Sequence, residues 1–429
     1  MKARAGPDRT GPESTRRFSP LVYFAAMGSD PAATPSAEPW HRVSRGDLLF
    51  GLAVLVVYGV ATAIAIFGRH VIVDRAEAVA ESLLAGHLDA VVLKGTVDTV
   101  DINGHYYLAV GPLQILPYLP FAYFHVLRGL ASYLIALAFG IPAAWLALPL
   151  ARAYGARGKT AYWIATFVAC GSLLLYCSVF GNFYLLAHPE SFLALTLFLI
   201  EWAGRRRPSV LGLMLAISFL ARPTTILAAI PFGLVLVWRR RDAVRSAVRL
   251  SLPIGIAIAF YGWYNWLRFG SPLETGYSIS YLTDASLEAR RQLGVFSILQ
   301  IPENLRLALL ALPERLPHFP YLTVNPFGLS MLLVSPALLT SLWAGFRDRR
   351  VQLLWLAAAA VAVPVFLYYG GGADQYGFRY SLDFTPFLVA LVAIGSRRWK
   401  GWPERLLISV SAASVAYGVL WHSFAYLRQ

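Results

Sequence analysis

The sequence predicts an all-α polytopic integral membrane protein with about eleven transmembrane helices and two large outer loops. Two observations predict this fold class. Of the 429 residues, 57% are hydrophobic and only 14% are charged, a composition that excludes an ordinary soluble domain. The hydrophobic residues also gather into segments that are long enough, or nearly so, to cross a bilayer, with arginine clusters between many of them.

The first 46 residues are polar and rich in Pro, Ser and Arg, and they predict a disordered cytoplasmic tail. Met27 is an alternative start, because nothing before it has a structural pattern. The transmembrane domain is predicted over 47–429, with outer loops near 69–129 and 269–327. The predicted spans lie near 48–67, 130–150, 160–177, 184–203, 210–220, 225–238, 252–266, 329–346, 351–369, 380–395 and 406–425.

The distribution of charge predicts the orientation of the chain. A net charge of +14 would indicate a nucleic-acid ligand in a soluble protein. Here roughly two thirds of the 37 Lys and Arg fall on the side of the tail, which is the pattern of cytoplasmic loops. We therefore expect a multi-pass protein of the cell (inner) membrane, with its N-terminus in the cytoplasm and no nucleic-acid partner.

The apolar segment 210–238 is predicted to be a hairpin and not one long helix. Basic clusters flank it at both ends, and the positive-inside rule places both clusters in the cytoplasm. The break is predicted at Arg222-Pro223, because proline disfavours a helical conformation in the residue before it. The two arms rise only about 16–21 Å against a bilayer core of about 30 Å. Arg222 is therefore expected within the outer leaflet, where an arginine marks a candidate functional site.

The first outer loop opens with three acids at helical spacing, Asp74, Glu77 and Glu81. Asp74 has two interpretations. It can take part in chemistry, or it can form a capping box with Glu77 at the start of a helix. Asp98 and Asp101, further along this loop, are interpreted as residues that shape turns.

Further ionisable residues are predicted at the outer ends of helices, whereas transporters place such groups near the membrane midplane. Glu190 has an alternative role as a complement to a helix dipole. Arg379 has an alternative role in which its side chain extends to the membrane interface. Lys94 and Arg268 are expected to be solvated. The ionisable residues singled out for function are Asp74, His188, Glu190, Arg222, Arg379 and Asp383.

Taken together, these residues resemble the GT-C fold glycosyltransferases, polytopic enzymes that use polyprenyl-phosphate-linked sugars. Within this fold, the chain resembles the bacterial branch similar to dolichyl-phosphate-mannose–protein mannosyltransferases. The resemblance runs from Asp74 to Phe387, and the order of its motifs along the predicted topology carries it. The motifs are Asp74, Gly104-His105-Tyr106-Tyr107, Gly111-Pro112-Leu113, His188-Pro189-Glu190, Ala221-Arg222-Pro223-Thr224, Arg268-Phe269-Gly270-Ser271-Pro272, Gly276-Tyr277 and Phe378-Arg379-Tyr380.

The resemblance implies an inverting sugar transfer on the outer face of the membrane, with Asp74 as the base. Such a transfer needs a carboxylate to take the proton of the acceptor hydroxyl. It also needs cations to hold the phosphate of the leaving group, which Arg222 and Arg379 are predicted to supply. His188 and Glu190 complete the predicted catalytic set: they either orient the acceptor or hold a divalent cation together with Asp74.

The loop residues Asp101, His105, Tyr106 and Tyr107 are predicted to lie at the acceptor cavity. The predicted partners are a polyprenyl-phosphate-linked sugar and the lipid bilayer. In one respect the chain departs from the eukaryotic protein mannosyltransferases: Arg75 follows Asp74 where they carry two adjacent acids, which argues against a serine or threonine protein acceptor. The alternative function is a transporter or flippase of a lipid-linked solute, which needs no catalytic carboxylate.

Overall fold

The computed structural model describes residues 43–69, 74–238, 242–318, 321–325, 327–372 and 375–424. Almost all of the predicted tail, with Met27, therefore lies outside the described residues, and its disorder stays a prediction. The described helices are α1 (Arg45–Arg69), α2 (Arg75–Leu84), α3 (Leu119–Phe124), α4 (Ala131–Ala153), α5 (Gly158–Cys170), α6 (Leu173–Val179), α7 (Phe183–Ala203), α8 (Pro208–Ala221), α9 (Ala229–Trp238), α10 (Ala243–Phe269), α11 (Ala285–Gln292), α12 (Ile301–Leu310), α13 (Met331–Val334), α14 (Arg349–Leu367), α15 (Thr385–Gly395) and α16 (Trp402–Phe424).

Shorter 3₁₀ turns and two small hairpins complete the described architecture. The strands pair antiparallel, β1 (Thr99–Ile102) with β2 (His105–Leu108) and β3 (Glu314–Arg315) with β4 (Leu322–Thr323). The 3₁₀ segments are Val91–Leu93, Pro112–Gln114, Leu116–Tyr118, Pro223–Ala228, Ile298–Gln300, Pro336–Ala344, Arg379–Asp383 and Ser396–Arg398.

The chain is a polytopic membrane protein, as predicted. Six described helices are long and apolar enough to cross a membrane: α1, α4, α7, α10, α14 and α16. The pair α5 and α6, bent by 45°, makes a seventh if it is counted as one span. The other four predicted spans coincide with shorter segments, namely α8, Pro223–Trp238, α13 with Pro336–Ala344, and α15. The count of eleven stays a prediction.

The predicted hairpin at Arg222-Pro223 is present. Helix α8 ends at Ala221, and Arg222 takes an extended conformation before a 3₁₀ turn begins at Pro223. Helices α8 and α10 run parallel, because Gly212 lies against Leu250 while Phe219 packs on Tyr261, with ring centroids 5.4 Å apart. The chain must therefore return through α9 between them. Arg222 lies at the turn, at the end of the bundle that carries the two long connections, which we call the loop end.

The three acids of the first long connection tie it to the helical bundle. Asp74 caps α2 and also accepts from the amide of Phe183 at the start of α7. Glu77 does not complete a capping box: its carboxylate accepts from the amide of Gly129, at 3.0 Å. Glu81 pairs with Arg128 at 3.0 Å. The helical spacing of these acids therefore fixes α2 against the start of α7 and against the far end of the connection.

Asp101 shapes a turn of this connection, as predicted. The β1–β2 turn holds Asn103 and Gly104 at φ of 55° and 85°, as a type I′ turn requires. Asp101 accepts from the amide of Gly104 at 2.9 Å.

The apolar run at 115–126 is too short to span a bilayer. It forms a 3₁₀ turn and the six-residue helix α3, with Tyr123 and Phe124 exposed.

The two long connections are joined to each other. Strand β1 is extended by Tyr281, whose amide donates to the carbonyl of Thr99 and whose carbonyl accepts from the amide of Asp98, both at 2.8 Å. Tyr107 of β2 packs on Phe269, with centroids 6.0 Å apart. Strand β1 is therefore held against the second long connection, and β2 against the end of α10.

The orientation prediction can be tested with single cysteines at Ser209 and Ser286, which are both exposed and lie at opposite ends of the bundle. If the loop end faces outward, a membrane-impermeant maleimide should label Ser286→Cys in intact cells and Ser209→Cys only after permeabilisation. The unsubstituted chain, whose Cys170 and Cys177 are partly or fully buried, is the control. Labelling of both positions from one side would contradict the alternation of the spans.

Candidate functional site

The buried carboxylate of Asp383 joins three separate parts of the chain at the loop end. It accepts from the Arg222 guanidinium, with Nη2 at 2.9 Å and Nε at 3.1 Å, and from the Thr224 hydroxyl at 3.1 Å. Its other neighbour is His188 of α7, whose Nδ1 lies 3.3 Å away. The side chains of Asp383 and His188 are fully buried, and that of Arg222 is 20% exposed.

Arg222 and Arg379, predicted to bind one phosphate, lie over the same aromatic ring. Their guanidinium carbons are 4.8 Å and 5.2 Å from the centroid of Tyr380. The two cations, far apart in sequence, are thus at most about 10 Å from each other. Arg379 is only 7% exposed, so its side chain does not extend to the interface as the alternative interpretation expected.

His188 and Glu190 lie deeper than their sequence pattern indicated. Helix α7 begins at Phe183, with Asn182 as its cap, and runs through Pro189 without ending. Glu190 therefore lies beyond the first turn of α7. Only in the first turn would the helix dipole stabilise its negative charge. It is 1% exposed, and neither carboxylate oxygen has a hydrogen-bond partner among the described residues. His188 contacts the Asp383 site directly, whereas Glu190 is held within the bundle.

Asp74 uses both of its carboxylate oxygens on backbone amides. Oδ1 accepts from Ala76 at 2.8 Å and Oδ2 accepts from Phe183 at 3.0 Å. The side chain is 9% exposed, and burial raises its pKa to about 6 although both amides act in the opposite direction. The capping interpretation is therefore present in the structure, while the catalytic role of Asp74 stays a prediction.

The four residues predicted for the acceptor cavity lie on the β1–β2 hairpin. Asp101 and His105 stand near its tip, where His105 is exposed and contacts Asp89 at 2.9 Å. Tyr106 pairs with Asp101 across the strands, and Tyr107 packs on Phe269. Their contacts hold the hairpin together and fix it to α10, and a role in binding the acceptor stays a prediction.

The expectation that Arg268 is solvated is wrong. The side chain is 3% exposed, lies over the ring of Tyr264 and donates to the carbonyl of Leu108 at 2.7 Å and to Asn265 at 2.9 Å. The aromatic contacts of its planar guanidinium explain why this charge can be buried at the end of α10. Arg268 thereby anchors β2. Lys94, by contrast, is exposed as expected.

Asp98 lies in a turn just before β1, as the sequence interpretation expected. Its backbone is left-handed, with φ of 59°, and its carbonyl accepts from the amide of Ala109 at 3.0 Å. Burial raises the pKa of its half-buried carboxyl above the ordinary value, while the Tyr184 hydroxyl and nearby arginines act in the opposite direction. These neighbours come from distant segments, so the sequence pattern alone does not separate Asp98 from Asp101.

A row of aromatic rings begins at the arginine pair. Tyr380 packs on Tyr368, with centroids 6.2 Å apart, and Tyr368 packs on Tyr277 at 5.9 Å. We call Tyr277, Tyr368 and Tyr380 the tyrosine row. The row therefore runs from the two cations to the second long connection, which contains Tyr277.

An apolar groove opens beside the same end of the bundle. It has a volume of about 600 Å³ and runs between α10 and the break that follows Arg222. Aromatic and aliphatic side chains dominate its lining, including Phe219, Pro223, Tyr261, Trp263, Trp266 and Leu273. Such a groove suits a hydrocarbon chain with a polar head near Arg222.

The predicted metal ligands are not brought together. Across the described ranges, no group of three or more His, Cys, Asp or Glu side chains could hold a metal ion. Asp74 is used by amides, His188 binds Asp383 through Nδ1, and Glu190 is separately buried. These residues do not fit a metal site formed by the protein alone, and the divalent cation stays a prediction.

Comparison with solved structures identifies the fold. A crystal structure of ArnT from Cupriavidus metallidurans bound to undecaprenyl phosphate matches with a TM-score of 0.50 and 14% sequence identity, over 84% of this chain and 62% of that one. The chain has the fold of ArnT. The apo form of ArnT matches with the same score and identity, over 84% of this chain and 61% of ArnT.

The predicted GT-C fold is thereby confirmed, since ArnT is a GT-C glycosyltransferase. This chain spans less than two thirds of the length of ArnT. No protein-family model matches the sequence, and no curated protein matches it either.

We predict that substitutions at Asp383 and Arg222 have strongly coupled effects on the free energy of unfolding. Asp383→Leu alone should lower the free energy of unfolding by about 3–5 kcal/mol, because it leaves a largely buried guanidinium without its carboxylate. Adding Arg222→Met should restore much of the loss, since the uncompensated charge is then gone. Denaturant unfolding of the detergent-solubilised protein measures both. Glu303→Gln, in the exposed pair with Arg306, is the control and should change little. Equal stability of the Asp383→Leu single variant and the wild type would contradict the coupling.

Proposed function

We propose that the chain is a membrane glycosyltransferase that moves a sugar, a hexose or a pentose, from a polyprenyl-phosphate donor to an acceptor. The observation that carries this is the convergence of Arg222 and Arg379 on Tyr380, next to the buried carboxylate of Asp383 and a lipid-sized groove. Two arginines within reach of one point suit a phosphodiester better than a neutral ligand. In the orientation predicted from the distribution of charge, the site would lie on the outer face of the inner membrane.

The donor has three chemical parts, a polyprenyl chain, a phosphate and a sugar, and each is assigned to a different part of the site. Its polyprenyl chain would lie in the groove lined by Trp263 and Trp266, and its phosphate would meet the arginines over Tyr380. The sugar would then extend along the tyrosine row, whose rings offer it flat apolar surfaces. That ArnT was crystallised with undecaprenyl phosphate supports this class of lipid.

The reaction is proposed to be a single inverting displacement. The acceptor hydroxyl oxygen attacks the anomeric carbon as a carboxylate of the first long connection takes its proton. The bond from the anomeric carbon to the phosphate oxygen breaks, and its electron pair stays on the phosphate. The arginines stabilise the charge that develops there. In this scheme His188 transfers no proton. It orients Asp383, which it contacts.

The function can be tested by removing the protein from its host and measuring lipid-linked sugars by mass spectrometry. A transferase should leave one polyprenyl-phosphate sugar accumulated. Purified protein, given that extracted lipid and a membrane extract as acceptor source, should release polyprenyl phosphate. A flippase would move the lipid across proteoliposomes and leave its sugar bond intact, and that result would replace the proposed function.

The phosphate site predicts the effect of two conservative substitutions. Arg222→Lys and Arg379→Lys should each weaken binding of undecaprenyl phosphate roughly tenfold or more, because lysine keeps the charge but loses the planar fork. Tryptophan fluorescence titration of the detergent-solubilised protein measures the affinity.

The matched control is Arg207→Lys, in which an arginine that also binds a carboxylate in a fork, that of Glu201, is replaced at the opposite end of the bundle. It should bind undecaprenyl phosphate as the wild type does. If the two site variants also bind like the wild type, these arginines do not hold the phosphate.

A further inference from the structure

We propose that a second cavity, on the side of α5, binds an anionic phospholipid. The cavity has a volume of about 390 Å³ and is lined by Lys159, Tyr162, Trp163 and Thr166. Volumes of about 300–1,000 Å³ are typical of small-molecule sites in proteins. We call it the α5 cavity. It lies away from the arginine pair, so the ligand proposed for it is independent of the proposed sugar transfer.

The α5 cavity lies at the end of the bundle opposite the loop end. The hydroxyl of Tyr162 donates to Asp47, in the first turn of α1, at 2.6 Å. Helix α1 reaches the first long connection only at its other end, where Gly68 lies against Ser423 of α16. In the orientation predicted from the distribution of charge, the cavity therefore opens toward the cytoplasmic leaflet of the membrane.

Three helices build the cavity. The four lining residues follow one another at i, i+3, i+4 and i+7, which places them on one face of α5. Helix α1 flanks this face, because the ring of Phe50 packs on Tyr162 with centroids 6.1 Å apart. Helix α16 flanks it as well, since the guanidinium carbon of Arg405 lies 5.8 Å from the ring centroid of Trp163. The stacked guanidinium is thereby held at the rim of the cavity.

The surface around the cavity is apolar. Leu49 of α1 and Leu406 of α16 are exposed large hydrophobic residues on helices that are long and apolar enough to span a membrane. Such side chains face the acyl chains of the bilayer. The lined face rises about 10 Å over the seven residues from Lys159 to Thr166. It therefore leads from cations at the membrane interface into the hydrocarbon, and its occupant needs a polar head and an apolar chain.

The head group must carry a negative charge. Lys159 and Arg405 are exposed, and no carboxylate of the described residues forms an ion pair with either. The nearby acids are already bound: Asp47 pairs with Arg152 at 2.7 Å, and Glu404 accepts from two backbone amides just before α16. The tail, residues 1–42, has more Lys and Arg than Asp and Glu, so it does not supply the complementary charge.

An anionic phospholipid meets both requirements. Its phosphate would lie between the ammonium of Lys159 and the guanidinium of Arg405, and an acyl chain would follow Trp163 toward Thr166. Basic pockets between transmembrane helices bind anionic head groups in this way. A zwitterionic lipid is disfavoured, because its own cation would lie near Lys159 and Arg405.

Native mass spectrometry of the full chain in a neutral detergent tests the site. Phosphatidylglycerol and phosphatidylcholine with identical acyl chains are the probes, and the wild type should bind the first more tightly. Lys159→Gln and Arg405→Gln should each lower the affinity for phosphatidylglycerol about fivefold, and leave that for phosphatidylcholine unchanged. The matched control replaces two exposed arginines at the same end, Arg245→Gln with Arg249→Gln, and should bind both lipids as the wild type does.

A second measurement locates the bound chain. Phosphatidylglycerol with brominated acyl chains quenches the fluorescence of tryptophans that it contacts, and Trp163→Phe should remove part of this quenching. Equal affinity of the wild type for the two lipids would overturn the proposal. So would an unchanged affinity for phosphatidylglycerol when Lys159 and Arg405 are replaced together. Displacement of the lipid by inorganic phosphate would show that the cavity holds a free anion, and the assignment to a phospholipid would then be wrong.

Discussion

The site depends on one buried carboxylate. Removing Asp383 from water costs several kcal/mol, and only a close cation with further donors can offset that cost. The offset requires Arg222, Thr224 and His188 to arrive together, although they come from the α8 break and from α7. The broken helix at Arg222-Pro223 is therefore part of the same arrangement. A continuous helix could not turn both Arg222 and Thr224 toward one acceptor.

A second polar chain supports this break from inside the bundle. The hydroxyl of Ser191 on α7 lies 2.9 Å from that of Ser218 on α8, which donates to Thr225 at 2.7 Å. Thr225 in turn donates to the carbonyl of Arg222 at 2.7 Å. A proline at 223 leaves carbonyls of α8 without their helical donor, and hydroxyls of this kind can satisfy them. The position of Arg222 is thus fixed from the bundle side as well as by Asp383.

The sequence predicted well whatever depends on local pattern. Hydropathy predicted the polytopic fold, Arg222-Pro223 predicted the break, and Asp101 was correctly predicted to shape a turn. The sequence also identified Arg222 and Arg379 as candidate functional residues, because charged residues at helix ends are rare in an apolar chain.

What failed depends on contacts between distant segments. Arg268 is buried only because an aromatic ring and the carbonyl of Leu108 meet it. The bond from the amide of Phe183 to Asp74 was not foreseen either, because it exists only where α7 begins beside α2.

The arrangement sets cations in place before any charge moves. Arg222 and Arg379 lie over Tyr380, and Asp383 holds Arg222 there. In the proposed transfer, a carboxylate loses its negative charge by taking the acceptor proton at the same time as the leaving phosphate gains one. The net charge of the site is unchanged, and the arginines stabilise the new charge on the phosphate. Little solvent reorganisation is then needed, because the cations are already in place before the charge moves.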